Sequence, residues 1–341
     1  MNNYIDTTLF QSIKQLIEET RKRVVRNINA EMVLTNFEIG RRIVDEDQKG
    51  KSKADYAGQV LQQLSERLTK EFGKGYSIDN LENFRRFYMT YADRISETLS
   101  RKLETTSPLL PAIFLLSWSH YVQLIKIKDN GERQFYEIEA YKNNWSLREM
   151  HRQINAALFE RIALSKDKEG VTRLAHEGQI VELPTDVLKS HYVLEFLDLK
   201  EDNRYSESDL ETAIINKLEH FMLELGKGFL FEGRQRRFTF EGDSFYVDLV
   251  FYNRLLKCFV LLDLKIGKLT HQDIGQMQMY VNYYDRKIKT PDEHPTIGIV
   301  LCKEENKAVV EFTLPEDNKT IFAKEYQLYL PSKEDLKKQL K

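Results

Sequence analysis

Two charged residues interrupt an apolar run in the second half of the chain. Asp263 and Lys265 stand on either side of Leu264, in a segment that is otherwise apolar from Cys258 onward. In an extended strand, residues two apart project to the same face, so the carboxyl and the amine emerge side by side. A charge among buried apolar neighbours is costly unless it is paired or binds a metal. A structural ion pair at a sheet edge is the alternative, but the apolar neighbours favour a central strand and a site of chemistry.

A second acid lies in the apolar run that precedes this one. Asp248 falls within residues 245–253, and a short turn would pair this run with the strand that carries Asp263. Two carboxylates and a backbone carbonyl, for which Leu264 is the candidate, are hard oxygen ligands of the kind that Mg²⁺ prefers. Lys265 would orient a water molecule or stabilise charge that develops on a phosphate. We therefore expect Asp248, Asp263 and Lys265 to be catalytic, with Mg²⁺ (or Mn²⁺) as the cofactor.

Polar residues near these acids are candidates for substrate binding. Gln276 and Tyr280 are four apart on a predicted helix and therefore share one face. An amide and a phenol there would hydrogen-bond a phosphate or a base, although a solvated helix face is the alternative. Arg234, Gln235 and Arg236 follow one another on a predicted strand, where phosphate contact and surface solvation are both open.

The first half of the chain is predicted to be helical. Apolar residues recur at helical spacing through residues 8–165, and neither paired acids nor a phosphate loop occurs there. Residues 166–206 turn polar and predict a linker with a short docking segment. The pattern therefore divides the chain into a helical domain at 8–165, this linker, and a second domain at 207–335.

The second domain is predicted to combine helices and strands. Its predicted elements are a helix at 209–225, strands at 229–240, 245–253 and 257–265, a helix at 271–286 and a strand at 296–302. Turn residues between the three consecutive strands indicate an antiparallel meander. The expected fold class is α+β, with an all-α domain followed by a mixed α/β core.

Length and composition place further bounds on the protein. The 341 residues suffice for two domains, and the apolar and charged fractions are 41% and 30%. The longest apolar stretch, 108–116, is too short to span a bilayer, and the N-terminus lacks the pattern of a signal peptide. The two cysteines build no disulfide framework, and the net charge of −2 gives no general attraction to nucleic acid. We therefore expect a cytoplasmic protein without a membrane partner.

The spacing of the acids resembles a known nuclease motif. Asp248, followed after 14 residues by Asp263-Leu264-Lys265, is similar to the PD-(D/E)XK motif, and Gln276 with Tyr280 resembles the QxxxY element of the RecB-type branch. Longer strings resemble the YhcG-type bacterial family, which joins this nuclease domain to an N-terminal helical domain. These strings are LELGKGF (223–229), GRQ (233–235) and IGIVLCK (297–303) in the second half, and IGRR (39–42), FGKGYS (72–77), LSWSHY (116–121) and NWS (144–146) in the first.

The resemblance carries two departures and one addition. Val247 precedes Asp248 where the motif has proline, and Asp263 stands where relatives often have glutamate, so a metal would sit closer to the strand. Some members of the superfamily also use a glutamate from the first helix of the nuclease core. Glu219 and Glu211 are the candidates for this third metal ligand, and Glu219 is preferred because it is nearer the end of the predicted helix.

The resemblance implies a restriction-endonuclease-like core and a metal-dependent nuclease that hydrolyses DNA phosphodiester bonds. The helical domain would then bind DNA or a protein partner, and the family context points to mobile elements or foreign DNA in bacteria. Two alternatives stay open: a DNA-binding or assembly module that has lost catalysis, and an RNA-cleaving enzyme on the same core. A homodimer would suit cleavage of both strands of a duplex.

Overall fold

The computed structural model describes residues 7–49, 54–102, 114–199, 205–240 and 242–340. The chain divides into two units, Met1–His151 and Arg152–Lys341. The sequence pattern instead places the boundary after residue 165, with a linker at 166–206 whose residues 200–204 lie outside the described part. The structural boundary and the predicted boundary differ because the segment interpreted as a linker contains a helix and a short strand that belong to the second unit.

The first unit is helical, as expected. Its helices are α1 (Thr7–Lys49), α2 (Ala54–Phe72), α3 (Ile78–Lys102), α4 (Trp118–Leu124), α5 (Asn130–Lys142) and the first part of α6 (Leu147–Asn155). The core of this unit includes Val33 and Phe37 of α1 together with Phe87 of α3, all buried. Gly40 lets α1 approach α3 closely, because a Cβ atom at this position would lie 2.0 Å from the backbone oxygen of Phe84.

The second unit is a six-stranded sheet with helices on both faces. Its further elements are α7 (Leu158–Ala163), α8 (Lys168–Glu177), β1 (His191–Val193), α9 (Glu207–Asn216), α10 (Leu218–Leu225), β2 (Phe229–Phe240), β3 (Asp243–Asn253), β4 (Cys258–Lys268), α11 (His271–Tyr283), β5 (Ile297–Glu304), α12 (Lys307–Thr313), β6 (Ile321–Gln327) and α13 (Lys333–Gln339).

The strand order in the sheet is β1-β6-β5-β4-β3-β2. β2, β3 and β4 form an antiparallel meander, and β5, β6 and β1 continue the sheet in parallel. The expected core of a helix, three strands, a helix and a strand is confirmed. Strands β1 and β6 were missed, because β1 has only three residues and β6 alternates weakly between apolar and polar positions.

The centre of the sheet is buried on both faces, as expected for the strand that carries Asp263. Leu262 and Leu264 of β4 pack in one apolar cluster with Leu210 of α9. Leu261 packs on the other face in a cluster that includes Ile274 of α11. Burial on both faces explains why β4 is apolar at nearly every position. No helix in the described part of the chain is long and apolar enough to cross a membrane.

The helix predicted at 209–225 is broken into two. Lys217 leaves helical geometry, with φ −118° and ψ 31°, and separates α9 from α10. In one continuous helix, residues eight apart project less than a quarter turn from one another, so Glu211 and Glu219 would share a side. The break separates these two glutamates, and it determines which of them reaches the acids of the sheet.

A buried ionic cluster joins the start of the second unit to its sheet. Glu224 of α10 is fully buried, and both of its carboxylate oxygens accept hydrogen bonds from Arg161 of α7. The backbone N–H of Val193 in β1 donates to Glu224 Oε1 at 3.0 Å. Burial alone would raise the pKa of Glu224, but the charges of Arg161, Lys189 and Arg152 hold it well below its usual range. These contacts explain why the second unit already begins at Arg152.

Candidate active site

The two aspartates meet where the pairing of β3 with β4 ends. The last paired positions are Leu249 and Leu262, so Asp248 and Asp263 are the next residues on the two strands. Asp248 Oδ2 accepts a hydrogen bond from the backbone N–H of Leu264 at 2.8 Å. The carboxylate of β3 therefore binds the backbone of β4 one residue beyond the second aspartate.

Asp263 is a buried carboxylate whose polar contacts are incomplete. It is 2% exposed, and its Oδ2 lies 3.0 Å from Lys265 Nζ but makes no hydrogen bond of good geometry. Burial, and then the negative charge of Asp248, raise the pKa of Asp263, while Lys265 acts in the opposite direction. A buried carboxylate beside a second acid favours the binding of a cation.

Lys265 is held by three carboxylates. Its Nζ lies 3.0 Å from Asp263, 3.7 Å from Glu207 of α9 and 3.9 Å from Asp273 of α11. Burial opposes the charged amine, but these carboxylates raise the pKa of Lys265, so it is protonated at neutral pH. The expectation that Lys265 lies beside Asp263 is matched by the geometry.

Glu207 and Asp273 were not singled out from the sequence. Asp273 had a detectable signal, because it follows Thr270 by three residues at the start of α11 and forms a capping box with it. Its carboxylate Oδ2 accepts from the Thr270 backbone N–H at 2.8 Å, and its Oδ1 is directed to Lys265. The helix cap thus also positions the amine.

A third acid reaches the site from α9. Gln235 Nε2 donates hydrogen bonds to Glu211 Oε2 at 2.6 Å and to Asp248 Oδ1 at 3.1 Å. Gln235 lies on β2 between the positions that pair with β3 on either side of Asp248, and its φ of 47° is left-handed. Burial, and the charge of Asp248, raise the pKa of Glu211. Arg234 Nε lies 3.4 Å from Glu211 Oε1, which makes no hydrogen bond.

The two glutamates proposed from the sequence differ in position. Glu211 is 6% exposed and shares Gln235 with Asp248, whereas Glu219 is exposed on α10. The preference for Glu219 is corrected in favour of Glu211, because the break at Lys217 places them on different helices.

The predicted substrate-binding residues on α11 and on β2 differ in whether they contact the acids of the site. Gln276 donates to the hydroxyl of Tyr280, which in turn donates to the backbone oxygen of Tyr246 in β3 at 2.8 Å. Tyr280 is only 1% exposed, so it ties α11 to the sheet and is not part of a solvated face. Arg236 pairs with Glu232 of its own strand, its Nε lying 3.0 Å from Glu232 Oε2. Of the strand cluster, only Arg234 and Gln235 contact the acids.

The donor set fits a hard divalent cation that keeps part of its water shell. Asp263 Oδ2 and Glu211 Oε1 are buried oxygens without hydrogen bonds. Among the described residues, no three His, Cys, Asp or Glu side chains are grouped closely enough to enclose a metal ion. Mg²⁺ is commonly held by one or two carboxylates plus water and substrate phosphate, so an enclosed site is not required. Leu264 donates its backbone N–H to Asp248.

Comparisons with known proteins match both units. Residues 185–341 match the family described as "YhcG PDDEXK nuclease domain", and residues 12–161 match the "DUF1016 N-terminal domain". A protein from Escherichia coli (strain K12), described as "Putative nuclease YhcG", is 38% identical over 349 aligned positions. The alignment covers 97% of this chain and 92% of that relative.

Two solved structures share a distant likeness with part of the chain. A repair endonuclease from Pyrococcus abyssi is 19% identical with a TM-score of 0.26, and an EndoMS–dsDNA2 complex is 15% identical with a TM-score of 0.27. Each match covers 39% of this chain and half of the solved chain. Likeness at this level carries no inference about the site.

Proposed function

Because this chain belongs to the YhcG PDDEXK nuclease family, we propose that it is a metal-dependent nuclease that hydrolyses the phosphodiester bonds of DNA. The observation that carries the proposal is the meeting of Asp248, Asp263 and Lys265 at the end of the β3–β4 pairing. There, a buried carboxylate oxygen of Asp263 lacks a hydrogen bond and faces a cationic amine.

The acids would hold the cation. Asp248 and Asp263, with Glu211 and the Leu264 carbonyl as further donors, supply the hard oxygens that Mg²⁺ or Mn²⁺ takes. A divalent ion bound there supplies the Lewis acidity that activates water and offsets charge on phosphorus. Gln235 fixes the orientation of Glu211 and Asp248, so we reassign it from substrate contact to positioning of these two acids.

The basic residues would act on the phosphate. Lys265 is charged, fixed by three carboxylates and directed at Asp263, and it would stabilise negative charge that develops on the non-bridging oxygens. Arg234 has a half-exposed side chain beside Glu211 and would bind a neighbouring phosphate. Gln276 and Tyr280 form a hydrogen-bond chain that ends on the backbone of β3. We propose substrate contact only for Gln276, because it is partly exposed.

The preferred substrate and setting are further parts of the proposal. We propose DNA as the substrate in preference to RNA. We also propose that the protein acts on mobile elements or foreign DNA in the bacterial cytoplasm. Both proposals rest on the family resemblance alone. The helical unit would bind DNA or a protein partner. RNA cleavage on the same core, and DNA binding without turnover, are the competing outcomes.

Cleavage assays of the full chain test this proposal. Single-stranded, double-stranded and branched DNA, with RNA of matched sequence, would be incubated with Mg²⁺, with Mn²⁺ or with EDTA. We expect DNA to be cut with either ion, no cutting in EDTA, and recovery when Mg²⁺ is added in excess. Cleavage that persists in EDTA would contradict metal dependence, cutting of RNA alone would contradict the substrate, and DNA binding without turnover would support an inactive module.

A further inference from the structure

The first half of α1 carries a stripe of exposed apolar side chains. Nine large apolar residues between positions 9 and 32 are each 46% to 62% exposed. They are Leu9, Phe10, Ile13, Leu16, Ile17, Val24, Val25, Ile28 and Met32. At 100° per residue they fall within about half of the helix circumference. A contiguous apolar surface of this kind marks an interaction site.

The stripe is separate from the face that packs inside the first unit. Val33, Phe37 and Gly40 are buried, and Gly40 lies against the backbone of α3. At the same angular step these three residues lie on the opposite half of the helix from the stripe. The contact that buries the second half of α1 therefore does not extend to the first half.

The stripe is complementary to itself when a second copy runs antiparallel. A two-fold axis between Thr20 and Arg21 places Ile13 opposite Ile28 of the second copy, and Ile17 opposite its Val24. The same operation places Leu9 opposite Met32 and Leu16 opposite Val25. Eight of the nine stripe residues therefore meet an apolar partner, as an isologous interface requires, and Phe10 lies level with Glu31.

The charges on the helix select the same direction. Glu18 and Glu19 lie on the N-terminal side of Thr20, and Arg21 and Arg23 lie on its C-terminal side. In the antiparallel arrangement Glu18 of one copy stands level with Arg23 of the other. In a parallel arrangement the acids would stand beside acids and the arginines beside arginines, which is unfavourable.

We infer that the protein forms a homodimer through residues 9–32 of α1, packed antiparallel about an axis between Thr20 and Arg21. This segment is about 36 Å long. The inference rests on the helical unit and is independent of the nuclease site.

Mass measurement and cysteine cross-linking test the dimer and its direction. The two native cysteines are buried, so a cysteine introduced on the stripe is the accessible thiol. Copies of position 20 would lie next to each other, whereas copies of position 9 would be about 35 Å apart along the helices. We expect light scattering of the full chain to give twice the chain mass, Thr20→Cys to form a disulfide dimer under mild oxidation, and Leu9→Cys not to.

Charge substitutions on the stripe provide the second readout. The double variant Ile13→Glu, Ile28→Glu is expected to be monomeric with unchanged helix content. Met89→Glu, at an equally exposed apolar position on α3, is the matched control and should stay dimeric. A monomeric parent, an assembly of another size, a dimer that survives the double substitution, or cross-linking through Leu9→Cys would overturn the inference.

Discussion

Replacing Asp263 by asparagine is expected to lower the rate of DNA cleavage by about 10³-fold, the upper end of the loss when one preorganised charge-stabilising group is removed. Asparagine keeps the shape of the side chain but removes the negative charge that would hold a cation. The fold should persist, because Lys265 retains Glu207 at 3.7 Å and Asp273 at 3.9 Å as partners. Single-turnover cleavage at saturating Mg²⁺, with the thermal unfolding of each protein, measures both effects.

Two glutamates provide graded controls for this experiment. Glu211→Gln removes the acid that shares Gln235 with Asp248 and that we propose as a further donor to the cation, and we expect a loss of about 10²-fold, the lower end of the same range. Glu219→Gln changes the same residue type at an exposed position and should cleave as the parent does. An Asp263→Asn protein that cuts DNA at the parental rate would remove Asp263 from catalysis.

Replacing Glu224 by glutamine is expected to cost about 3–5 kcal/mol of unfolding free energy, because it leaves buried cations without their counter-ion. Arg161 is fully buried and Lys189 is 1% exposed, so neither can turn to water. The carboxylate also accepts the backbone N–H of Val193, so the substitution weakens the attachment of β1. Urea unfolding followed by circular dichroism measures the change, with the exposed Glu219→Gln on the same helix as a control expected to stay within about 0.5 kcal/mol.

The stabilising effect of Glu224 should disappear in acid. Because its pKa is depressed in the folded protein, the unfolded chain takes up this proton first as the pH falls. The difference in stability between the parent and Glu224→Gln is therefore full above the ordinary Glu pKa of about 4.3 and shrinks below it. Equal stability of the two proteins at neutral pH, or a difference that grows in acid, would contradict the proposed ion pairing.

The residues at the centre of the site could be found from the sequence because they are local. Asp263 and Lys265 are two positions apart on one strand, and the meander brings Asp248 across a short turn. The apolar neighbours of each acid made both conspicuous. The sequence did not identify Glu211 as the third acid, because its position depends on the helix break at Lys217 and on the side chain of Gln235.

The contacts that tie residues 152–197 to the second unit join residues far apart in the sequence. Arg161 and Glu224 are 63 residues apart, and nothing near either residue indicates that they pair. Strand β1 is only three residues long and gains its stability from pairing with β6 near the end of the chain. Contacts of such sequence separation leave no periodic signal, so residues 166–206 resembled a linker.

The most direct test of a cation site between the two aspartates is a crystal of the full chain soaked in Mn²⁺, measured for anomalous scattering. We expect a peak contacted by carboxylate oxygens of both Asp248 and Asp263, and its loss in the Asp263→Asn protein. Crystals saturated with Mn²⁺ that show no peak between these side chains, or one only at other residues, would contradict the proposed metal site.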